Sequence, residues 1–352
     1  MSLRIAIHSD LREHGDQAQV YRENLELFTL ADQLGFDSAW VRSYHFRKKV
    51  AGFSFPGGLP SPFPFLAAVA ARTSRIRLGT GVVPLPLENP IRVAEDAAVL
   101  DALSSGRFEL GVSNGGQPLI AQALGVDLAL DRETRKSDYL RSLQLVASAL
   151  DGNPLNGTDQ RINPFSPGLS NRIWESALTE LTGTESALRG NGVLIGTTQT
   201  VPAEITAAAY HSALKPGAVP RVGLVVHLDV NRSREAALAA LEEDLESVYA
   251  WGRDWLPLAS TLEEKASAIN VHYGTPAQIA ESLLSFPAIV FATELQISVA
   301  YGSNSHDQRV DAVHAVVEDI APRLGWSPTG SVPSSISASS INASSINEGV
   351  LL

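Results

Sequence analysis

The sequence alternates between β-rich and helical segments along most of its 352 residues, and this alternation limits the fold more than any other feature. Residues 3–9 are apolar with few interruptions, and residues 21–34 carry apolar side chains at helical spacing up to Gly35, a typical helix stop. The recurring pattern predicts eight strands, at residues 3–9, 36–41, 76–83, 107–113, 171–176, 192–197, 221–230 and 294–299. The predicted helices between them include residues 64–72, 89–103, 132–150, 184–189 and 276–284.

Eight strand–helix units favour a closed parallel sheet, the (β/α)8 or TIM-type barrel, because every crossover between parallel strands is right-handed. We expect residues 1–326 to form this barrel as a single domain, with a helical insertion after the seventh strand at residues 233–269. An open dinucleotide-binding sheet is disfavoured, because the first strand is followed by HSDLREHGD, which lacks the Gly-x-Gly-x-x-Gly fingerprint.

The composition changes after Trp326. Residues 334–348 read SSISA, SSINA and SSINE, three near-repeats of five residues with a single charge. Such low-complexity sequence buries too little apolar surface to offset the entropy of ordering it. We therefore expect residues 327–352 to form a flexible tail without a catalytic role.

Charge and composition exclude several classes of protein. The chain has 27 Lys and Arg against 38 Asp and Glu, a net charge of −11, which disfavours a nucleic-acid partner. It has no cysteine, which excludes disulfides, thiolate catalysis and cysteine-ligated metals. No apolar segment is long enough to span a bilayer, and the first residues show no signal-peptide core. We expect a cytoplasmic protein without membrane association.

In a barrel of this kind the active site lies at the C-terminal ends of the strands. The residues there are mostly small or neutral, and no cluster of carboxylates or histidines indicates a hydrolase or a metal site. We infer that a bound cofactor supplies the reactivity and that no metal is needed. His45, after the second strand, is either a reactive group or a side chain that secures its own loop. His8, at the end of the first strand, could equally be a buried structural imidazole, and His227 is more typical of a structural imidazole than of a reactive one.

Two loops could contact a ligand. Residues 179–184 (TELTGT) follow the fifth strand, where threonine hydroxyls and the N–H groups of a helix start would bind a phosphate. The same residue types also form ordinary helix caps, and this alternative stays open. Residues 51–62 contain three glycines and three prolines, which predicts an irregular loop that covers the site.

Four stretches of the sequence are distinctive: GFDSAW at residues 35–40, His45-Phe46, the block at residues 75–112 that contains NPIRVAEDAAVLDALSSGRFELG, and GTPAQIAESL at residues 274–283. Together they resemble the bacterial-luciferase-like flavin-dependent monooxygenases, most of all those described as FMN-dependent. The resemblance implies a barrel that binds reduced FMN at its C-terminal face, forms a flavin C4a-peroxide with O2 and oxygenates a small organic substrate. It also implies a separate NAD(P)H:flavin reductase and a homodimer.

The resemblance also assigns roles to individual residues. Cofactor-binding positions are Thr80, Gly81 and Val82 along the flavin ring, and Ser113, Asn114, Gly115, Thr179, Thr182, Gly183 and Thr184 for the phosphate. Many members have an arginine after the fourth strand, where this chain has Ser113-Asn114-Gly115. The usual strand-two motif Glu-His-His-Phe reads Ser43-Tyr44-His45-Phe46 here, so Tyr44 occupies the usual catalytic position. Tyrosine is a poor base near neutral pH, which makes His45 the main catalytic candidate, with Tyr44 as a hydrogen-bond donor.

Two alternative functions stay open. The same barrel resembles oxidoreductases that use the deazaflavin coenzyme F420 and transfer a hydride instead of activating oxygen. The replacement of the usual histidine by Tyr44 is also compatible with a protein that binds flavin without turnover. The identity of the substrate cannot be read from the sequence.

Overall fold

The structure is a computed structural model that describes residues 3–11, 16–46, 48–50, 53–55, 58–115, 118–129, 131–197, 201–252, 254–299 and 305–328. The predicted tail, apart from residues 327 and 328, lies outside the described residues. None of the described helices is both long and apolar enough to cross a membrane.

Eight parallel strands form a closed barrel, which confirms the predicted fold. They are β1 (Arg4–Ser9), β2 (Ser38–Val41), β5 (Arg77–Thr80), β7 (Phe108–Ser113), β8 (Ile173–Ser176), β9 (Gly192–Ile195), β10 (Val222–Val230) and β12 (Glu294–Ser298). Each strand pairs with the next around the ring, and β12 pairs with β1 to close it. Four short strands lie outside the ring: β3 (Lys48–Val50), β4 (Phe53–Phe55), β6 (Val83–Pro84) and β11 (Val271–Gly274).

The described helices surround this barrel. They are α1 (Gln17–Leu34), α2 (Pro62–Ala70), α3 (Pro90–Leu103), α4 (Pro118–Leu124), α5 (Arg132–Leu150), α6 (Glu180–Arg189), α7 (Ala203–Ala213), α8 (Arg234–Gly252), α9 (Leu262–Ala268), α10 (Pro276–Leu284) and α11 (His306–Ala315). The sequence signals at their ends act as expected. Asn89 caps α3 through its side chain, and Gly35 ends α1 in the left-handed conformation. The main core lies between the helices and the outer face of the barrel.

Two predictions were wrong in detail, and one strand was not predicted. Helix α6 begins at Glu180 and not at Thr184, because Thr179 caps it. The helical insertion after the seventh strand is confirmed by α8 and α9, and the unpredicted strand follows it. This strand, β11, pairs with His227–Val230 of β10, whereas β9 pairs with Val222–Leu224. Residues 51–62 are not wholly irregular, because β3 and β4 form an antiparallel hairpin.

Two tryptophans fill the middle of the barrel. The rings of Trp40 and Trp174 meet edge to face with their centroids 5.5 Å apart. Glycines on neighbouring strands make this possible: a Cβ at Gly79 would lie 2.2 Å from the Trp40 ring, and one at Gly192 would lie 2.5 Å from Trp174. The tryptophans thus separate the N-terminal end of the barrel from the C-terminal end.

The barrel floor, defined by Arg4, Arg77, Glu109 and Glu294, closes the N-terminal end. Glu294 is fully buried and accepts hydrogen bonds from Arg4 at 2.9 Å and from Ser38 at 2.9 Å. Glu109 binds Arg77 and the Trp174 indole. Burial raises the pKa of Glu294, while Arg4 opposes that shift. The charged groups of the floor therefore compensate one another.

Candidate functional site

A cavity of about 1120 Å³ opens at the C-terminal ends of the strands, where the barrel architecture places an active site. This exceeds the roughly 300–1,000 Å³ that is usual for the site of one small ligand. The predicted site residues that line it are Tyr44, His45, Gly81, Val82, Ser113, Asn114, Gly115, Thr179 and Thr182. The structure thus brings most of the predicted positions into one space.

Three predicted positions do not line the cavity. The Thr80 hydroxyl is fully buried and donates to the Gly111 carbonyl oxygen at 2.8 Å, so it joins β5 to β7. Gly183 faces α7, where a Cβ would lie 2.7 Å from the Thr206 carbonyl oxygen. Thr184 lies one residue further along α6 and is also absent from the lining. A helix that starts at Glu180 turns these residues away from the site.

Thr179 and Thr182 form a capping box at the start of α6. The Thr179 hydroxyl accepts from the Thr182 N–H at 3.3 Å, and the Thr182 hydroxyl accepts from the Thr179 N–H at 3.0 Å. The structure therefore shows the helix cap, and the helix also directs its partly positive N-terminus towards the cavity, while phosphate binding stays a prediction. The N–H groups of Glu180 and Leu181 belong to the first turn, which has no intrahelical acceptors.

Cations from α5 lie beside this helix start. Arg132, Arg135 and Lys136 line the cavity together with Thr179 and Thr182, and we call this group the cationic end. Lys136 pairs with Glu185 at 2.5 Å, whereas Arg132 forms no ion pair with any described residue. These three residues were not predicted from the sequence. The pattern that could have identified them is three cations within the first turns of a helix, where acidic residues are usually preferred.

A second ion pair extends from the cationic end towards the barrel wall. Arg189 pairs with Glu175 at 2.9 Å, and the Tyr139 hydroxyl donates to the same carboxylate at 2.8 Å. Burial and the adjacent Glu175 raise the pKa of Tyr139 well above its usual value of 10.0. Tyr139 therefore stays protonated and orients Glu175. The Glu175 carboxylate is thereby already bound by Arg189 and Tyr139.

On the opposite wall, Gly81 and Val82 present backbone to the cavity. Their peptide bond is cis. The missing side chain of Gly81 leaves His8 uncovered, since a Cβ there would lie 3.4 Å from His8 Cε1. A planar ring could therefore approach this stretch of backbone closely.

His8 belongs to a chain of polar side chains at the end of β1. It is only 4% exposed, and its Nε2 lies 3.2 Å from Asp10 Oδ1, while Arg42 donates to Asp10 Oδ2 at 3.3 Å. A carboxylate only accepts, so Nε2 donates to Asp10. Nδ1 has no hydrogen-bond partner among the described residues. His8 could equally have been a buried structural imidazole from the sequence, and the structure places it in the lining of the cavity.

His45 also lines the cavity, and its surroundings favour the neutral imidazole. Burial lowers the pKa of His45 below its usual 6.5. Its Nε2 is buried without a hydrogen-bond partner in the described part of the chain. The loop is secured by its backbone instead, because the Tyr44 N–H donates to the Leu59 carbonyl oxygen at 2.9 Å. Among the described residues, His45 Nε2 therefore makes no hydrogen bond that secures the loop.

The rest of the wall comes from β9, β10 and the insertion. The lining residues here are Leu194, Thr197, Val201, Val225, His227 and Trp255, which we call the uncharged half. Thr197 Oγ1 and His227 Nε2 lie 3.3 Å apart, and both side chains are less than a tenth exposed. His227 lines the cavity although sequence analysis regarded it as structural. Within the described residues, no group of three or more His, Asp or Glu side chains has the arrangement of a metal site.

Solved structures of monooxygenases share this fold. The crystal structure of the monooxygenase RslO1 from Streptomyces bottropensis superposes with a TM-score of 0.72 at 22% identity, over 91% of this chain and 99% of that one. The oxygenating constituent of 3,6-diketocamphane monooxygenase from Pseudomonas putida, solved in complex with FMN, superposes with a TM-score of 0.71 at 16% identity. That match covers 92% of this chain and 99% of the other. At these identities the likeness establishes the fold alone.

Sequence comparison establishes the family. A model of the luciferase-like monooxygenases matches residues 1–293, so the chain belongs to this family. The resemblance of the four distinctive stretches is thereby confirmed. The 4-hydroxyprotoasukamycin monooxygenase of Streptomyces nodosus subsp. asukaensis is 44% identical over 117 residues, which is 33% of this chain and 29% of that protein. The chain thus matches less than a third of the length of this relative.

Proposed function

We propose that this protein is the oxygenating component of a two-component, FMN-dependent monooxygenase. The observation that carries the proposal is a cavity with a cationic end, an exposed backbone stretch at Gly81-Val82 and an uncharged half. These three parts match the phosphate of FMN, its ring and an organic substrate. The volume of about 1120 Å³ is large enough for two ligands.

The cationic end would hold the phosphate. Arginine and lysine are the usual phosphate-binding side chains, and a helix N-terminus adds backbone donors. Arg132 can turn to a phosphate because it forms no ion pair among the described residues, whereas Lys136 is shared with Glu185. The N–H groups of Glu180 and Leu181 would supply further hydrogen bonds. This arrangement replaces the arginine that many members carry at the position of Asn114.

The ring would lie along Gly81-Val82, close to His8 and His45. Bound reduced FMN would supply the electrons that activate O2. The two imidazoles would then hold a proton or a hydrogen bond beside it, His45 through its neutral form and His8 through Nδ1, which has no partner among the described residues. The largely apolar wall of β9 and β10 would exclude water from the reaction. As the oxygenating constituent, the protein would receive reduced FMN from a separate NAD(P)H:flavin reductase.

Binding of FMN and of riboflavin tests the phosphate assignment, because riboflavin lacks the phosphate. Arg132→Ala should weaken FMN binding about tenfold, since a charge-assisted hydrogen bond contributes roughly 1.5–3 kcal/mol, and it should leave riboflavin binding unchanged. Arg141→Ala is the matched control on the same helix, because Arg141 pairs with Asp138 and does not line the cavity. Equal FMN affinity of the parent, Arg132→Ala and Arg141→Ala would refute the assignment.

The reaction itself is tested with reduced FMN, a flavin reductase and 18O-labelled O2. We expect one labelled oxygen atom in an organic product and the other in water. Oxidation of reduced F420 without uptake of O2 would instead establish hydride transfer. Tight FMN binding without either reaction would leave a flavin-binding protein without turnover. Either outcome would refute the monooxygenase proposal.

A further inference from the structure

The charged residues of the cavity are distributed unevenly. Those that line it come from the β1 and β2 ends, from β8 and from α5 and α6: Asp10, Arg42, Arg132, Arg135, Lys136, Glu175, Glu180, Glu185 and Arg189. Among the described residues, β9, β10, β12 and the insertion contribute no charged side chain to the lining. Asp229 of β10 is fully buried and also does not line the cavity.

The sequence extends this pattern beyond the described residues. The stretch that follows β9 reads GTTQTVP at residues 196–202, and the one that follows β12 reads VAYGSNS at residues 299–305. Neither contains a charged residue. The described walls of the uncharged half are therefore without charged side chains, and the sequence that continues from β9 and β12 adds none.

The walls of this half are apolar. Leu194 and Val225 are buried at its base, Val201 is half-buried, and Trp255 is 37% exposed at the mouth. Trp255 reaches the cavity from the end of α8, and its ring packs edge to face on Trp251 with centroids 5.0 Å apart. A ligand between these side chains would lose its water and gain no countercharge. Burying an unpaired ion in such surroundings costs several kcal/mol.

One polar pair interrupts these walls. Thr197 Oγ1 and His227 Nε2 share a hydrogen bond of 3.3 Å, and both residues line the cavity. Where Nε2 donates, the Thr197 hydroxyl proton is left for a carbonyl oxygen. Where the hydroxyl donates to Nε2, its lone pairs are left for the proton of an alcohol. The pair thus offers a hydrogen-bond donor or acceptor to an oxygen group of a ligand, and the apolar walls around it add no countercharge.

We infer that the substrate is a neutral, mainly apolar molecule whose carbonyl or hydroxyl group binds at Thr197 and His227. The inference rests on the proposed function, because it assigns the other part of the cavity to FMN. It goes further by excluding carboxylates and other anions from the substrate position. Sites that hydrogen-bond a substrate oxygen discriminate strongly against molecules that lack it, so this pair would select the substrate.

The test compares three probes of equal chain length: 2-heptanone, 2-heptanol and heptanoate. Dissociation constants are measured by saturation-transfer NMR on the full chain, with and without saturating oxidised FMN. We expect one of the neutral probes to bind at least tenfold more tightly than heptanoate in the presence of FMN. Heptanoate binding as tight as the tighter neutral probe, or no detectable binding of either neutral probe, would overturn the inference.

Two variants locate the binding position. Thr197→Val keeps the shape of the side chain and removes the hydroxyl, so binding of the tighter neutral probe should weaken about 2- to 10-fold, as expected for one neutral hydrogen bond. Thr197→Ser should restore it. Thermal melts of both variants show that the chain remains folded. Equal probe affinity in the parent and both variants would overturn the assignment to Thr197.

The two proposals fail separately. If FMN does not bind, the proposed function fails, and the order of the three probes on the protein without FMN still decides the substrate inference. If FMN binds and heptanoate also binds most tightly, only the substrate inference fails. If FMN displaces heptanoate, heptanoate has bound at the cationic end. This result then means that heptanoate does not bind in the uncharged half.

Discussion

At the barrel floor, Glu294 is fully buried and accepts hydrogen bonds from Arg4, Ser38 and Gln296. At the cavity, His8 is only 4% exposed, yet its Nδ1 has no partner among the described residues, and the same is true of His45 Nε2. A buried polar atom without a partner costs roughly 1–3 kcal/mol. The two ends of one barrel therefore use buried polar groups differently: the floor stabilises the fold, and the cavity keeps polar atoms for a ligand.

Gln296 marks the boundary between the two regions. Its Nε2 donates to Glu294 at 3.1 Å, which ties it to the floor. The same side chain lines the cavity, and its Oε1 has no hydrogen-bond partner in the described part of the chain. The contrast between paired and unpaired groups thus follows depth in the barrel and not the type of residue.

The largest effect should come from breaking the floor. Glu294→Ala leaves Arg4 with Glu109 at 3.9 Å and leaves the Ser38 and Gln296 donors without their acceptor, so the free energy of unfolding should fall by about 3–5 kcal/mol, the usual effect of removing one partner of a buried ion pair. Glu185→Ala is the control at the cavity, where the partly exposed pair with Lys136 contributes about 1 kcal/mol or less. Urea unfolding of both variants measures the difference. Equal losses would contradict the distinction between the two regions.

A loss of stability of medium size is expected when the glycine that packs on Trp40 is replaced, and almost none when a glycine at the cavity is replaced. Gly79→Ala places a Cβ 2.2 Å from the Trp40 ring and should cost at least 1–3 kcal/mol of stability, in the usual range for an overfilled core. Among the described residues, a Cβ at Gly115 meets only the Ser113 side chain, with Oγ nearest at 3.1 Å, and the site is exposed, so the melting temperature of Gly115→Ala should stay close to that of the parent. If both variants melt at the parent temperature, the barrel tolerates a Cβ at Gly79, and the close packing of Gly79 on Trp40 is wrong.

The smallest effect concerns the acid side of the pH profile. The pKa of His45 is lowered in the folded chain, so the unfolded chain binds more protons just below pH 6.5, and this residue costs stability as the pH falls. His45→Leu should therefore gain stability relative to the parent at about pH 5 compared with about pH 8. Denaturant unfolding at both pH values measures this. An identical pH dependence in the two proteins would contradict a buried neutral imidazole.

Much of the fold follows from local signals in the sequence. Apolar runs and helix stops such as Gly35 predict all eight barrel strands, because burial on both faces leaves a strand few polar positions. The short strand β11 escaped prediction because VHYG has only four residues and lies between two predicted helical segments, residues 233–269 and 276–284. Helix α6 was predicted to start too late, since Thr179 and Thr182 read equally well as a loop.

The site was only partly predictable for a different reason. Tyr44, His45, Gly81 and Val82 could be named because strand ends and family motifs locate them. The cationic end could not, because Arg132 and Thr179 are brought together only by the packing of α5 beside α6. The unpaired Nδ1 of His8 is also invisible in a sequence, since it depends on Asp10 and Gly81 in three dimensions.

The insertion after β10 forms a small structural unit with its own core, unlike a simple loop. It leaves the barrel at the end of β10 and returns as β11 alongside the same strand, at His227–Val230. Between these points it has a small core of its own, formed by residues such as Leu241, Leu245 and Tyr273. Both attachments are on one strand, so this lobe could be exchanged between related barrels as a unit. A transplanted lobe would bring a new side chain to the position of Trp255 and leave helices α5 and α6 as they are.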